Sequence, residues 1–215
     1  MNNLIRERKG MLILSLLVIL LPMGVGLFLW NQLPDQVPIH FGLNGQADNY
    51  AGKAFVVFGL PLLMAALQVL LLVVTMADPK GKNIAAKPFG LLLWICPLVS
   101  LFCGTMTYAK ALALPVDINL VGGLFLGLMF LVVGNYLPKC KQTYTVGIRL
   151  PWTLADEDNW AYTHRLAGKG WTIGGLVILV LTFLRLPALQ FVVILVLVLI
   201  PIIASFLYAR RGETK

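Results

Sequence analysis

MLILSLLVILLPMGVGLFLW, residues 11–30, is a run of twenty residues without an Asp, Glu, Lys or Arg. A bilayer core of ~30 Å is crossed by about 20 such residues in a helix, so the stretch reads as a membrane span. Arg6, Arg8 and Lys9 precede it, as basic residues precede the apolar part of a secretory signal. The run is longer than the ~7–15 residues of such a segment, and no clear small-x-small cleavage site follows it. It is expected to be a retained first helix.

Working outward, five further segments are apolar over a comparable length, free of charge but for Lys169 in the fourth of them: 55–77, 89–109, 118–137, about 166–184, and 186–209, with 10–30 as the first span. The fifth is the shortest; Lys169 must snorkel at one end of it, and a tight turn around Arg185, Leu186 and Pro187 must join it to the sixth. Composition agrees with six spans. The 215 residues are 59% hydrophobic and 12% charged, against roughly 25% charged in a soluble domain. The expected fold is all-α: one polytopic membrane helix bundle over 1–215, with an outer loop at 31–54 and an inner loop at 138–169.

Six spans sort the loops into two sets. The N-terminus, the 78–88 loop, the 138–169 loop and the C-terminal tail together hold 14 of the 17 Lys and Arg residues. The other set holds Lys53, Lys110 and Arg185, balanced by Asp35, Asp48 and Asp117. The positive-inside rule therefore puts both termini in the cytoplasm. On this sorting the whole net charge of +8 lies on the inner face, and direct nucleic-acid binding is not needed to explain it.

Within the spans, Gly123-x-x-x-Gly127 and Gly170-x-x-x-Gly174 are expected to let backbones approach closely. Pro22, Pro61, Pro97 and Pro201 predict kinks whose freed carbonyls need partners from neighbouring helices or water. Only neutral polar residues sit deep, among them Gln68, Ser100, Asn119, Asn135 and Gln190. Ion-coupled transporters usually bury ionisable groups, so the pattern leans away from a proton pump. Cys96 and Cys103 are seven residues apart on one expected helix, roughly 10 Å along its axis at ~1.5 Å per residue, too far for a disulfide. They and Cys140 read as apolar packing.

Specific chemistry is concentrated in two loops. The outer one contains Leu33-Pro-Asp-Gln-Val-Pro-Ile-His40, then Asn44-Gly45 and Asp48. Pro34-Asp35 and Asn44-Gly45 are turn dipeptides, and 37–41 between them suits a short extended segment. Pro34, Asp35, Pro38, His40, Gly45 and Asp48 are the candidate contacts of a lid that meets an extracellular ligand; a structured connector with locally bonded polar groups is the alternative. The inner loop contains Val146-Gly-Ile-Arg-Leu-Pro-Trp-Thr-Leu154 and Asp156-Glu-Asp-Asn-Trp160, then His164, Arg165 and Lys169. Pro151 should hold Leu150 extended, and Thr153 followed by Asp156 predicts an N-cap. An interfacial helix over about 154–167 follows, its acids in the first turn and His164 and Arg165 in the last, as the helix dipole favours. Trp160 and His164 share a face. Trp152, Trp160, Tyr162 and Trp171 suit the headgroup layer. Partner docking or anion contact is expected from Arg149, Pro151, Trp152, Thr153, Asn159, Trp160, His164, Arg165 and Lys169.

His40 and His164 fall on opposite faces, so they cannot share a metal ion. No hydrolytic, metalloprotease or phosphate-loop pattern is present. No cofactor, metal or catalytic residue is assigned.

The two loop motifs resemble the SdpI family. Leu33-Pro-Asp-x-Val-Pro-x-His40 with Gly45 and Asp48 is similar to its first signature. Gly147-Ile-Arg149, Pro151-Trp-Thr-Leu154, Asn159-Trp160 and Thr163-His-Arg-x-x-Gly-Lys169 are similar to its second. Order, intervening helices and length agree over nearly the whole chain. Leu150 departs from the Thr common there, so no hydroxyl contact is carried over to it. The resemblance implies a bacterial inner membrane protein that, like the family's namesake, protects a cell against a secreted toxic peptide. It further implies that the outer loop meets the peptide and that 149–169 holds a transcriptional repressor at the membrane, besides contact with membrane lipids. Two other functions fit the residues: a small-molecule or lipid transporter with Gln68, Asn119 and Asn135 lining a cavity, and a membrane-embedded enzyme using Arg149, His164 and Lys169 on a phosphate-bearing substrate.

Overall fold

A computed structural model describes residues 7–212. Arg6, Glu213 and Lys215, counted above on the inner face, lie outside the described residues. Among the described residues, six helices are long and apolar enough to cross a membrane, the number expected. In chain order the elements are α1 (Lys9–Phe28), a hairpin of β1 (Gln36–Phe41) and β2 (Ala47–Gly52), α2 (Leu60–Met76), α3 (Ala86–Ala111), α4 (Ile118–Tyr136), the single turn and a half of α5 (Pro151–Ala155), α6 (Glu157–Phe183) and α7 (Pro187–Gly212). They form two compact units, Met1–Val73 with Phe89–Ile118 and Val74–Pro88 with Asn119–Lys215.

In the first unit α1 and α3 touch closely. Ser100 Oγ donates to the Ile19 carbonyl and Tyr108 Oη to the Pro22 carbonyl, each at 2.9 Å. A Cβ on Gly26 would lie 2.5 Å from Tyr108 Oη, and one on Gly104 would lie 2.6 Å from Pro22 Cβ. α2 is entered through a π-helical turn, Phe55–Gly59, placed just before Pro61, where an α-helical donor is missing in any case. Pro97 likewise has no N–H for the carbonyl of Leu93, and buried Gln68 Nε2 on α2 supplies one at 3.3 Å.

In the second unit α4, α6 and α7 pack through small residues. Gly123 abuts Thr182, Gly127 abuts Leu179 and Gly174 abuts Leu197. Gly170, paired with Gly174 by spacing, faces open space; Gly175 takes the role, its missing Cβ lying 2.7 Å from the Gly127 carbonyl. The tight turn after α6 is present: Arg185 is left-handed at φ 57°, and Leu186 N–H reaches back to the Leu181 carbonyl at 3.0 Å. Gln190 then braces the turn by donating to Thr182 Oγ1 at 2.6 Å.

The fifth span differs from its expected bounds. The interfacial helix and the span are one continuous helix of 27 residues, because Asp156 caps it and no proline interrupts it before Pro187. At ~1.5 Å per residue it is about 40 Å long, some 10 Å more than a bilayer core. Its charged residues, from Glu157 to Lys169, all lie in its first half, at the polar end of the span.

Candidate functional site

The inner segment is built on the start of α6. Asp156 Oδ1 accepts the Asp158 N–H at 2.8 Å, and Glu157 and Asp158 occupy the first turn, so the cap is Asp156 and not Thr153. The reason is local. Pro151 starts a helix of its own, with Leu150 extended at φ −118°, ψ 152°, and Thr153 becomes the third residue of that turn. Its hydroxyl oxygen accepts the Leu150 N–H at 2.9 Å, and its O–H lies 3.0 Å from the carbonyls of Ile148 and Leu150. The hydroxyl is buried and ties the ends of the 148–153 loop.

Trp160 and His164 stack at 4.1 Å between ring centroids with 20° between planes, as their spacing predicts. Trp160 is 2% exposed and its indole N–H donates to the Cys140 carbonyl at 2.8 Å; it is a core residue, not one of an interfacial belt. His164 Nδ1 lies 2.8 Å from the Trp160 carbonyl and Nε2 lies 2.9 Å from the Ile148 amide. A carbonyl only accepts and an amide N–H only donates, so Nδ1 carries the proton and Nε2 is bare. Both nitrogens are thereby occupied, leaving none to bind a ligand or move a proton. Gly147, at φ +121°, lies against this stack; a Cβ there would meet His164 Nε2 and would lie 2.7 Å from Trp160 Cζ2.

Two further candidates anchor the segment to α7. Asn159 Nδ2 donates to the Ser205 carbonyl at 3.0 Å while its Oδ1 accepts from Thr163 at 3.1 Å. Trp152 Nε1 donates to Ser205 Oγ at 2.9 Å, and the ring meets Phe206 edge-on. Pro151, Arg149, Arg165 and Lys169 are exposed. Arg149 lies over its own loop, donating to the Tyr144 carbonyl at 2.9 Å. Thus Trp152, Thr153, Asn159, Trp160 and His164 are internal to the segment, and the cations are on its surface.

A set of residues not singled out from the sequence stitches the 78–88 loop to this segment. Asp78, 9% exposed, accepts the Tyr144 N–H at 2.9 Å, the Thr145 hydroxyl at 2.8 Å and the Lys80 N–H at 2.8 Å. Gln142 donates to the carbonyls of Thr153 and Leu154 at 2.8 and 3.1 Å and accepts from the Lys80 ammonium. Asn83 Nδ2 donates to the Gln142 carbonyl at 2.9 Å. The polar, uncharged run 142–145 was the sequence signal available, but nothing in it names partners more than sixty residues away. Cys140 closes the loop. Its thiol points at the Tyr136 carbonyl at 3.5 Å, and burial pushes its pKa up, as expected of a packing cysteine. Beside these residues lies a cavity of about 580 Å³ whose walls include Lys139, Lys141, Glu157, His164 and Arg165. Of the proposed docking or anion contacts it brings together Trp160, His164 and Arg165, and neither Arg149 nor Lys169.

The outer loop is a hairpin in the first unit. β1 and β2 pair antiparallel, Val37 opposite Ala51, with irregular register around His40. The turn falls at Asn44-Gly45 as the dipeptide predicts, with Gly45 left-handed at φ 73° and the Gln46 N–H held by Asn44 Oδ1 at 3.0 Å. Val37 and Leu33 join Val56, Val57 and Tyr108 in a buried cluster, and Pro38 is buried beside them. Across the bulge, His40 Nδ1 and Asp48 Oδ1 are 2.5 Å apart and both side chains are more than half exposed. Asp35 pairs with Lys53 at 3.4 Å, and Lys53 also lies over the Trp30 ring. Pro34, Pro38 and Gly45 line a shallow groove of about 300 Å³ with Tyr50 and Lys110.

Comparison with known proteins bears on both loops. Residues 139–209 match the SdpI/YfhL protein family, and residues 17–65 match a domain of unknown function, DUF1648. The chain is 26% identical over 206 residues to the immunity protein SdpI of Bacillus subtilis (strain 168), covering 93% of this chain and 96% of that protein. No solved structure matches it. The 17–65 match contains the outer hairpin and the 139–209 match most of the inner segment; the chain is similar to SdpI over nearly its whole length and is a multi-pass protein of the bacterial cell membrane.

Proposed function

We propose that this chain is an immunity-type membrane protein that protects its cell against a secreted antimicrobial peptide. The observation that carries the reading is the end-to-end similarity to an immunity protein. The outer hairpin supplies a surface suited to a peptide: the exposed His40–Asp48 pair, Asp35, and the groove bordered by Pro34, Pro38 and Gly45. On the inner face, Arg149, Arg165 and Lys169 are the exposed groups that would hold a cytoplasmic repressor. Pro151, Trp152, Thr153, Asn159, Trp160 and His164 give that segment its shape.

The test is survival of a peptide-sensitive strain expressing the chain at matched membrane levels. Higher survival with the wild type, lost in H40A or D48N, supports the reading; equal survival with and without the chain ends it. An exposed ion pair contributes about 0–1 kcal/mol, so neither substitution should disturb folding. Repressor recruitment is scored separately by membrane co-fractionation, with R165A expected to abolish it while immunity persists.

A further inference from the structure

We propose that the cavity at the inner end of the second unit binds a phosphate-bearing anion. Its volume of about 580 Å³ falls among ligand clefts of ~300–1,000 Å³. Three cations and one acid line it, and the acid, Glu157, is already 3.5 Å from Lys80. Among the described residues, neither Lys141 nor Arg165 has an ion-pair partner, while Lys139 lies 5.0 Å over the Tyr136 ring.

The neutral donors on the walls are occupied. Asn83, Gln142 and Trp160 donate to backbone carbonyls, and both His164 nitrogens are engaged. The groups left open to a ligand are an ammonium and a guanidinium on a floor fixed by the Trp160–His164 stack. Such a site selects by negative charge, and Arg suits the several oxygens of a phosphate. Its position agrees: α6 carries no charged residue after Lys169, so Glu157–Arg165 lie at the polar end of the span. A phospholipid headgroup and a soluble phosphate ester share this chemistry. The proposal does not depend on the immunity reading, since it is scored by binding and not by survival.

The full chain is reconstituted in nanodiscs of phosphatidylcholine, with or without phosphatidylglycerol, and lipid retained through purification is measured by mass spectrometry. In parallel, inorganic phosphate and glycerol 3-phosphate are titrated onto the chain in pure phosphatidylcholine discs, read by tryptophan fluorescence and calorimetry. Binding in the first arm identifies a headgroup, binding in the second a soluble ester. In either case K141Q/R165Q should weaken it by about fivefold for each cation removed. K82Q removes a charge from the same face outside the cavity and should change nothing, and the charge-preserving K141R/R165K should restore binding. Thermal unfolding of each variant confirms an intact fold. No binding in either arm, equal binding by K141Q/R165Q, or an equal loss in K82Q overturns the proposal.

Discussion

Trp171 donates its indole N–H to the Leu197 carbonyl at 2.8 Å, and that carbonyl is the one Pro201, four residues on, has no N–H to fill. Gln68 does the same for Leu93 below Pro97. In lipid no water reaches a freed carbonyl, and at Pro97 and Pro201 the neighbouring helix supplies the donor. Trp171→Phe should cost about 1–3 kcal/mol. In a Pro201→Ala background, where a helical N–H returns to Leu197, the same substitution should cost less than half as much. Thermal unfolding of the four proteins in detergent gives the coupling; additive effects would show that the bond does not serve the carbonyl freed by Pro201.

His164 supports the 140–150 loop instead of facing a ligand. His164→Ala removes the acceptor of the half-buried Ile148 N–H and one member of a stacked pair, about 2–4 kcal/mol together. A clear fall in unfolding temperature is expected. Arg165→Ala, one residue on but exposed, should leave the unfolding temperature unchanged. If the two variants are equally stable, the assignment of His164 as an internal strut is wrong.

Gly147 is required twice over, by its left-handed φ of +121° and by the absence of a Cβ against His164 and Trp160. Strained φ values cost about 1–3 kcal/mol, and here the clash adds to it. Gly147→Ala should fold poorly or lose the Ile148–His164 bond, visible as faster amide exchange at Ile148. Wild-type exchange in that variant would contradict the packing described.

Asp78 ties two loops 67 residues apart through three donors on a carboxylate. Asp78→Asn keeps the shape but replaces one acceptor oxygen by a donor facing donors. A loss of about 2–4 kcal/mol is expected, from charge-assisted bonds of ~1.5–3 kcal/mol each. Amide exchange at Tyr144 should rise while exchange in α7 stays as it was; a rise in both would indicate general unfolding.

Much of this was legible in the residues. Charge-free runs of bilayer length specify helices whatever their neighbours, and Pro34-Asp35, Asn44-Gly45, Pro151 and Arg185-Leu-Pro187 mark turns by their own backbone preferences. The second strand of the hairpin was not legible. Ala47–Gly52 has no apolar alternation and is extended because β1 pairs with it. The helix start at Asp156 was misplaced at Thr153, since both residues can cap and only the short turn begun by Pro151 decides between them.

The sequence by itself thus determined six spans, the concentration of cations on alternate loops and the two patterned loops, because hydropathy, charge and turn chemistry act over a few residues. Tertiary structure alone decided what those loop residues do. Whether His164 binds a ligand or holds a loop depends on where Ile148 lies. Which cations share a cavity depends on how 138–142 returns to α6. Both are contacts between residues distant along the chain, and no local preference encodes them.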